Sequence, residues 1–556
     1  MMSSGTSHTK EIYPLDRLDD KQEESIRFVS FNINGVKTLG NYFPWNKLNN
    51  NFDKIFQSLK GDIISLQELK LSSGNLSSTN LCNLRKYKSF ISLPKLKKGY
   101  SGVGLFVRIP EESEDDKVKY NLNVVKAEEG ITGYLRINND TGHHTKFLDL
   151  DDNEAIGGYV TNENYEEFDE ELALQIDREG RAVVVELASG LVIFSLYCPA
   201  NSMQTEEGER LKNKFMELLI KRCQNLIKLG KQIMVLGDIN ISLDLIDQAD
   251  GINERLNKKL IKYSNDGEAF EKTNHKECVK FKRERFSRMH LSKFVFSPLN
   301  VPEITGSERF LYDTTRVFRG RTMEIYTCWN TLNGSRQTNF GSRIDLILTT
   351  EAWKNRISKS SHWPFLMGSD HCPIFTDFLL DDNVNLKKMR QAKLSFEAKA
   401  FYKIIKHHDI SSMFKAVNKR KAHEIEDTKE NEVGDSKATK ITYQSRKTER
   451  KPEQRSIQTY FGTARANQEL NEKNIIDSSS NVNAILQMSS QRRATLNLAT
   501  VFGDPPKCHH DQTCQLKTSL TNPKTKGRKF WCCPRNAVGI QEEGRCTYFK
   551  WLNSSK

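Results

Sequence analysis

The chain has 556 residues, a formal net charge of +13 and a pI near 9.0. This length allows a complete catalytic core with accessory segments, and the positive charge indicates a polyanionic partner. The sequence has no apolar stretch of membrane-spanning length and no apolar core of a secretory signal, which predicts an intracellular protein without a membrane partner.

The excess positive charge is confined to the last third of the chain. The net charge is −3 over residues 1–382, +9 over 383–505 and +7 over 506–556. We interpret this tail as a segment that binds phosphates electrostatically. The simpler alternative is a solvated linker. Six cysteines are scattered over residues 1–382, whereas five lie between 508 and 546, which indicates a metal site rather than disulfides.

Residues 1–24 are polar and are predicted to be disordered. Short β-like runs then recur between helical patterns, which is typical of an α/β domain spanning residues 25–382. The β-like runs are 26–35, 62–68, 102–107, 181–187, 191–201, 232–240, 343–349 and 373–380. The patterns at 45–59 and 210–229 predict amphipathic helices. The stretch 149–179 is rich in acids and predicts a surface insertion that would disfavour close approach of phosphate.

The periodic pattern fades beyond this domain. Residues 383–505 are dominated by Lys, Ser, Asn and Gln, which predicts a basic disordered linker. The stretch 390–406 within it predicts a short helix that packs on the catalytic domain or on DNA. NKRKAH (418–423) is a candidate nuclear localisation signal, although any basic linker can resemble one. A compact module rich in Cys and Trp occupies residues 506–552.

Polar side chains fall at the ends of the predicted strands. Each one alone is more often a turn residue than a catalyst. Because strand ends on one rim of a sheet lie close together, we expect the set to converge on a single pocket. The set comprises Asn32, Asn34, Glu68, Tyr197, Asn201, Asp238, Asn240, Asp345, Asp370 and His371.

Eight motifs occur in the order and spacing of a known family. They are FNINGV (31–36), LQELK (66–70), KGYSGVGLF (98–106), LYCPAN (196–201), LGDIN (236–240), YTCWN (326–330), SRIDLIL (342–348) and GSDHCP (368–373). They resemble the exonuclease III-like class II AP endonucleases of the endonuclease/exonuclease/phosphatase superfamily, in their second, clamp-binding eukaryotic type. The resemblance implies a four-layer α/β sandwich, in which helices flank two packed mixed sheets.

The resemblance also implies a reaction and its residues. The enzyme would hydrolyse the phosphodiester 5′ to abasic sites in duplex DNA, with 3′-phosphodiesterase and 3′–5′ exonuclease activity, using Mg²⁺ or Mn²⁺. Glu68 would be the principal metal ligand, and His371 would contact the scissile phosphoryl oxygen while Asp345 orients its ring. Asp238 would activate or hold the attacking water, and Asn240 would orient the phosphate or Asp238. Tyr197 would hydrogen-bond the scissile phosphate or help the leaving group. The implied metal set is completed by Asn34, Asp370, Asp238, Asn240 and His371.

A short motif in the linker resembles the peptide that binds the sliding clamp PCNA. KPEQRSIQTYFG (451–462) places an amide, an aliphatic residue and two aromatic residues at the spacing of one 3₁₀ turn. The residues are Gln454, Ile457, Tyr460 and Phe461. The alternative is a chance aromatic pair in a linker.

The last module resembles the GRF-type zinc finger, which implies a Zn²⁺ site. We assign Cys508, His510, Cys533 and Cys546 as ligands, while His509, Cys514 and Cys532 remain competitors. Its cations and aromatics predict binding of single-stranded DNA, with Arg528, Lys529, Phe530 and Trp531 as candidate contacts, although some aromatics would instead be core.

The sequence therefore predicts a nuclear DNA-repair nuclease that acts as a monomer and is recruited to the clamp. A non-catalytic scaffold joining the clamp to single-stranded DNA is one alternative, and the intact set of candidate catalytic residues argues against it. A second alternative is a superfamily phosphatase that acts on small or lipid phosphates. Such an enzyme would not explain the clamp motif or the zinc finger.

Overall fold

The computed structural model describes residues 13–138, 144–299, 308–331, 334–382, 385, 389, 394–403, 505–519, 525, 527–535, 546 and 548–552. The strands are β1 Ser25–Asn32, β2 Ile63–Gln67, β3 Tyr87–Ser92, β4 Val103–Arg108, β5 Val124–Glu129, β6 Arg136–Asn138, β7 His144–Lys146, β8 Ala182–Leu187, β9 Leu191–Tyr197, β10 Gln232–Asp238, β11 Tyr312–Asp313, β12 Cys328–Trp329, β13 Gly341–Ser342, β14 Asp345–Thr349, β15 Ile357–His362, β16 Ile374–Leu379, β17 Gln515–Thr518, β18 Lys529–Cys532 and β19 Phe549–Trp551.

The α-helices are α1 Val36–Leu39, α2 Phe52–Ser58, α3 Ser73–Leu76, α4 Asp116–Leu122, α5 Glu170–Asp177, α6 Glu206–Lys228, α7 Ala249–Asn257, α8 Gly267–Thr273, α9 His275–Arg283, α10 Phe286–Ser292, α11 Thr314–Arg319, α12 Glu351–Lys354 and α13 Ala398–Phe401. Four 3₁₀ helices are described as well, Pro14–Arg17, Trp45–Leu48, Phe147–Asp149 and Leu245–Asp247. No helix of the described residues is both long enough and apolar enough to cross a membrane.

The described strands of the catalytic domain build two six-stranded mixed sheets. One has the order β15-β16-β1-β2-β4-β3 and the other β11-β14-β10-β9-β8-β5. Each contains one parallel pair, β1 with β2 and β9 with β10, and its other pairs are antiparallel. A parallel pair needs a crossover, and helices α2 and α6 lie in these two connections. At or directly after the carboxyl ends of these four strands lie Asn32, Glu68, Tyr197 and Asp238.

Alternating apolar side chains give the domain its four layers. In β1, Phe28 joins the core between the sheets while Val29 joins the core under the outer helices. In β9, Ile193 faces the core between the sheets and Phe194 faces the helix side. Because successive residues of a strand point to opposite faces and both faces are buried, these strands appear as continuous apolar runs in the sequence. The predicted four-layer sandwich is thus confirmed.

Helices α7–α10 form a subdomain beside the second sheet with an apolar core of its own. A buried ion-pair network joins this subdomain to the strand region. Asp247 accepts two bonds from the Arg343 guanidinium, at 2.7 and 3.1 Å, and pairs with Arg316 at 2.5 Å. Arg343 also lies 2.7 Å from Asp313. The network fixes the segment that leads into β14, where Asp345 is the first residue.

The pattern at 45–59 does not form one helix. It divides into the 3₁₀ turn at Trp45–Leu48 and helix α2. Asn49 and Asn50 adopt left-handed conformations, with φ of 52° and 54°, and Asn51 caps α2 by accepting a bond from Lys54 N at 3.3 Å. Three consecutive asparagines favour turns and caps over helix interior, so side-chain chemistry overrides the apolar periodicity here. The prediction of 210–229 corresponds to α6, and strands β3, β5 and β15 were not predicted.

Residues 149–179 are not a peripheral insertion. Ile156, Val160, Phe168 and Ile176 are buried, and they pack with α6 in the helix-side core of the second sheet. The acids of the stretch lie mostly between these apolar anchors, and Glu167 pairs with Lys214 of α6. The high acid content concealed the apolar spacing.

Two segments assigned to disordered regions are part of the catalytic domain. Near the N-terminus, Leu18 is buried and Asp19 accepts a bond from Trp363 Nε1 at 2.9 Å. Beyond residue 382, Phe396 enters the core between the sheets and the Tyr402 hydroxyl donates to Ile91 O at 2.9 Å. Of the two alternatives for 390–406, the described part packs on the catalytic domain.

Candidate active site

Functional side chains meet because the strand registers place them together. Asp238 ends β10 and lies opposite Tyr197 on β9 and Asp345 on β14. In the other sheet, Asn32 ends β1 and Glu68 follows the last residue of β2. These strand ends meet across the interface between the sheets, where hydrogen bonds join the two sets. The expected convergence on one pocket is therefore present.

Three residues of this rim adopt left-handed backbone conformations. The φ angles are 49° for Asn34, 53° for Glu68 and 56° for Asn240. Asn tolerates this region, but for a Glu it is a strained conformation that persists only where the surroundings enforce it. The bend directly after each strand is where the side chain leaves the pleat and enters the pocket. Strained backbone is thus present where the candidate catalytic groups lie.

Asn32 lies at the centre of the pocket, although it was not assigned a role from the sequence. Its side chain is fully buried, and Nδ2 lies 3.0 Å from Glu68 Oε1 and 2.9 Å from Asp238 Oδ2. The same nitrogen lies 3.5 Å from His371 Nε2. Its Oδ1 accepts the backbone N–H of Asn34 at 3.1 Å. A polar residue that ends an otherwise apolar buried strand was the available signal.

His371 is held by a carboxylate from another strand and not by its neighbour in sequence. Its Nδ1 lies 2.8 Å from Asp345 Oδ2, and its Nε2 lies 3.8 Å from Asp238 Oδ2. Thr327 Oγ1 donates to Asp345 Oδ2 at 2.6 Å, a contact that the sequence did not predict. Burial opposes the charged ring, but Asp345 and Asp238 outweigh it and raise the pKa of His371 well above its usual value of 6.5.

The carboxyl group of Asp238 is fully buried and shares its pocket with other anions. Burial raises the pKa of Asp238 to about 7, and the nearby charges of Asp345 and Glu68 act in the same direction. Its Oδ1 accepts the Asn240 N–H at 3.0 Å. The Asn240 side chain donates to Cys198 O at 2.9 Å, so in this structure it braces the β9 end. A carboxylate with a pKa near neutrality suits proton transfer.

Glu68 and Asn34 form an oxygen cradle that already contacts a cation. Glu68 Oε2 lies 2.8 Å from Lys70 Nζ, and Asn34 Oδ1 accepts a bond from the same ammonium. Asp370 adjoins the cradle, because its Oδ1 accepts Asn34 Nδ2 at 2.9 Å. Hard oxygen donors at an open edge are what Mg²⁺ or Mn²⁺ prefers, so this donor set fits such an ion. Lys70 was not assigned a role from the sequence.

The Tyr197 ring is almost fully buried, and the Arg181 guanidinium lies 4.9 Å from its centre. Burial raises the pKa of Tyr197, and the carboxylates of Glu68 and Asp238 add to the rise. The hydroxyl therefore stays protonated and can donate a hydrogen bond to an anion.

A cleft of about 450 Å³ opens beside Asn240. Its lining includes Cys328, Phe340 and Ile344 together with the cations Lys212 and Arg288. Apolar groups and cations in one cleft match the two parts of a nucleotide, the base or sugar and the phosphate. Residues Ala200, Asn201, Ser202 and Gln204 also line the cleft.

The C-terminal module is a three-stranded antiparallel sheet, β17-β18-β19. Cys508, His510, Cys533 and Cys546 place their ligand atoms within 4.8 Å of one another. His510 Nδ1 lies 3.7 Å from Cys508 Sγ and 3.5 Å from Cys533 Sγ. Three sulfurs and one imidazole nitrogen form a donor set that fits tetrahedral Zn²⁺. His509 instead packs against the Tyr548 ring.

Two of the candidate DNA contacts in this module are interior residues. Phe530 is 3% exposed and Trp531 is 5% exposed. The Phe530 ring packs on Phe549 and Trp551, with centroids 4.9 and 5.5 Å apart. A module this small has few apolar residues, and these aromatics supply its core, so they are not available for stacking on bases. Arg528 is exposed with its guanidinium 4.6 Å from the Trp551 ring, and Lys529 is half-buried.

The clamp motif (Gln454, Ile457, Tyr460 and Phe461) and the basic cluster 418–423 lie outside the described residues.

Comparisons with known proteins place this geometry in a family. Residues 29–371 match the endonuclease/exonuclease/phosphatase family model, and residues 506–555 match the GRF zinc finger model. The DNA-(apurinic or apyrimidinic site) endonuclease 2 of Saccharomyces cerevisiae is 36% identical over 96% of this chain and 98% of its own length. The chain belongs to the endonuclease/exonuclease/phosphatase family. Its relatives identify it further as an AP endonuclease of type 2, a DNA-repair hydrolase with a C-terminal zinc finger.

A second AP endonuclease 2, from Schizosaccharomyces pombe, is 28% identical over 95% of this chain and 98% of its own length. The crystal structure of the Xenopus laevis APE2 catalytic domain aligns with a TM-score of 0.47 at 25% identity, covering 65% of this chain and 94% of that one. The predicted AP endonuclease type is confirmed by the Saccharomyces cerevisiae relative, which matches this chain over nearly its full length.

Proposed function

We propose that this AP endonuclease cleaves the DNA backbone 5′ to abasic sites and leaves a 3′-hydroxyl end. We extend the proposal to 3′-phosphodiesterase and 3′–5′ exonuclease activity in the same pocket, because each reaction hydrolyses a phosphodiester and leaves a 3′-hydroxyl end. The observation that carries the proposal is the convergence of Asn32, Glu68, Asp238 and His371 through hydrogen bonds of 2.9–3.0 Å and one 3.5 Å contact. These groups supply a base, a cationic donor and a cation cradle within one pocket.

Each side chain has a role that its surroundings support. Asp238 takes the proton of the attacking water, since burial raises its pKa to about 7. His371, charged through Asp345, donates a hydrogen bond to a non-bridging phosphoryl oxygen and offsets the charge that grows there. The Tyr197 hydroxyl donates a hydrogen bond to the same phosphate. Asn32 donates to both Glu68 and Asp238 and so fixes their relative positions. Asn240 donates to Cys198 O and so fixes the backbone beside Asp238.

The metal proposal rests on the oxygen cradle. Glu68 would be the principal ligand of Mg²⁺ or Mn²⁺, with Asn34 and Asp370 adjoining it, and the ammonium of Lys70 would give way to the ion. When bound, such an ion supplies positive charge to the phosphoryl oxygens. Asp238, Asn240 and His371 lie close enough to take part in a second or shifted ion position.

We propose that the C-terminal finger binds Zn²⁺ through Cys508, His510, Cys533 and Cys546, and that it contacts single-stranded DNA through Arg528 and Lys529. We further propose that the protein acts as a monomer in the nucleus. Gln454, Ile457, Tyr460 and Phe461 would recruit it to PCNA. The charge of the tail supports DNA contact, and the sequence spacing supports the clamp motif.

The decisive experiment uses a duplex with a single abasic analogue, in Mg²⁺ or in EDTA. Wild type is expected to incise in Mg²⁺ only, and Glu68→Ala to lose on the order of 10²-fold or more in rate. Glu351→Ala is the matched control, because Glu351 is an exposed carboxylate at the opposite end of β14. Absence of metal-dependent incision by wild type would refute the proposal and favour a non-catalytic scaffold.

A further inference from the structure

Cys328 brings a thiol to the catalytic histidine. The ligand atoms of Cys328, Asp370 and His371 all lie within 4.8 Å of one another. A thiol, a carboxylate and an imidazole at this spacing form a combination that the phosphodiester reaction does not use. It differs in character from the oxygen cradle of Glu68 and Asn34, which contains no sulfur.

Backbone pairing holds these three ligands in place. Cys328 and His371 face one another in an isolated antiparallel bridge. Trp329 N donates to Asp370 O at 2.9 Å, and Cys372 N donates to Thr327 O at 2.8 Å. Hydrogen bonds on both sides therefore hold together the two backbone segments that carry the three ligands.

Cys328 lies next to an open cleft. The residue is half-buried and lines the 450 Å³ cleft beside Asn240. The cleft therefore brings an ion beside Cys328. Cys198 and Cys372, the other thiols near the site, are fully enclosed.

Ligand softness separates the ions that the two sites select. Mg²⁺ prefers oxygen donors, whereas thiolate and imidazole ligands select Zn²⁺ and related soft ions. Three protein ligands leave a fourth position open, as in sites that exchange an ion or a water. A soft ion here would compete for Asp370 and His371, two groups next to the scissile phosphate.

We propose that Cys328, Asp370 and His371 form a binding site for Zn²⁺ or another soft divalent ion that inhibits the nuclease. Binding releases two protons to solvent, the thiol proton of Cys328 and one ring proton of the charged His371, and involves no change of oxidation state. The ion withdraws His371 from the phosphate and Asp370 from Asn34. The inhibitory consequence rests on the proposed nuclease function, whereas the binding does not.

Binding is tested by titrating full-length, zinc-loaded protein with Cd²⁺ and following the ultraviolet charge-transfer absorption of cadmium thiolate. Wild type is expected to take up one more thiolate-bound equivalent than Cys328→Ser and Cys328→Ala. Cys278→Ser, which alters a buried thiol of the helical subdomain, is the control and is expected to match wild type. The zinc finger is the same in all four proteins, so its cysteines contribute equally to the cadmium-thiolate absorption of each. Identical titrations of wild type and both Cys328 variants would overturn the site.

Inhibition is tested on the abasic duplex in excess Mg²⁺ with increasing Zn²⁺, each variant being compared with its own zinc-free rate. Loss of one ligand is expected to raise the inhibitory Zn²⁺ concentration at least about tenfold for Cys328→Ser. Equal inhibition of wild type and Cys328→Ser would refute the inhibitory site and assign the effect to a group without Cys328, such as Asp238, Asp345 and His371. If wild type lacks Mg²⁺-dependent incision, the proposed function fails, while the Cd²⁺ titration still decides the binding.

Discussion

His371 owes its charge to carboxylates that come from other parts of the chain. Asp345 reaches Nδ1 from β14, and Asp238 faces Nε2 from β10. Asp370, its neighbour in sequence, instead accepts bonds from Asn34 and from Ser369 Oγ. Adjacent residues thus have different hydrogen-bond partners, Asp345 of β14 for His371 and the Asn34 amide for Asp370.

Replacement of Asp345 tests how the charge of His371 is maintained. In wild type the raised pKa keeps the imidazolium form present through neutral pH. In Asp345→Asn the pKa falls toward 6.5, so the charged form is lost as pH rises through that value. We expect kcat to fall by on the order of 10²–10⁴. The residual rate should decline from mildly acid to mildly alkaline pH, where wild type stays level.

The measurement is kcat against pH on the abasic duplex. His290→Gln, which removes a half-buried imidazole outside the pocket, serves as control and should keep the wild-type profile. A profile of Asp345→Asn parallel to wild type would contradict this account of His371.

At the scale of elements, one buried network connects the helical subdomain to the strand that carries Asp345. Asp244 pairs with Lys282 of α9 and with Arg321, and Asp247 pairs with Arg343 and Arg316. These ions are almost fully buried, so each charge depends on its partner to offset desolvation. The network therefore fixes the position of the subdomain relative to the catalytic rim.

Asp247→Asn should destabilise the catalytic domain in a pH-dependent way. Burial opposes ionisation, but Arg343 and Arg316 outweigh it and lower the pKa of Asp247 from 3.8 to about 2. A depressed carboxyl pKa stabilises the fold above the unfolded value, and this contribution is lost as pH falls toward the folded value. The shift corresponds to about 2 kcal/mol. The difference in unfolding free energy between wild type and variant should shrink by that amount between about pH 4 and about pH 2.

Urea unfolding at several pH values provides this difference. Asp250→Asn is a suitable control, because burial raises the pKa of Asp250 and its contribution has the opposite sign. A constant difference for Asp247→Asn across the acid range would show that the ion pairs do not contribute as described.

The predictability of each element depended on whether one physical signal dominated. The central strands were found from sequence because burial on both faces makes them continuously apolar, and their polar ends marked the pocket. The predicted helix at 45–59 was too long. Trp45 and Phe52 fit the spacing of one helix, but the three asparagines between them favour a turn, and the apolar spacing does not reflect that preference. The sequence placed Asn32 in the pocket but gave it no role, because its role comes from contacts between sheets, such as the 2.9 Å bond from Asn32 to Asp238. Lys70 was missed because its role comes from contacts with Asn34 and Glu68 that only the folded chain brings together.

At the scale of the whole molecule, the catalytic domain and the C-terminal tail differ in net charge. Residues 1–382 carry a net charge of −3, while 383–556 carry all of the surplus positive charge. A nearly neutral catalytic domain gains little from long-range attraction to DNA, so in the proposed function the tail would supply that attraction in a salt-dependent form. Because Phe530 and Trp531 are buried, DNA contacts of the finger would fall to other side chains, such as the exposed Arg528. In the same proposal, specific recruitment would depend on the short motif at 454–461.

Tyr460→Ala combined with Phe461→Ala tests that motif. Aromatic anchors that fill a pocket carry most of the binding energy of such peptides, so clamp affinity is expected to fall by on the order of 10²–10³-fold. Incision of a short duplex should be unchanged, because the motif lies in the linker and no catalytic group is altered. Calorimetric titration with purified PCNA measures the affinity. Ile475→Ala with Ile476→Ala removes two apolar linker residues outside the motif and should bind as wild type does; unchanged affinity of the aromatic variant would refute the assignment.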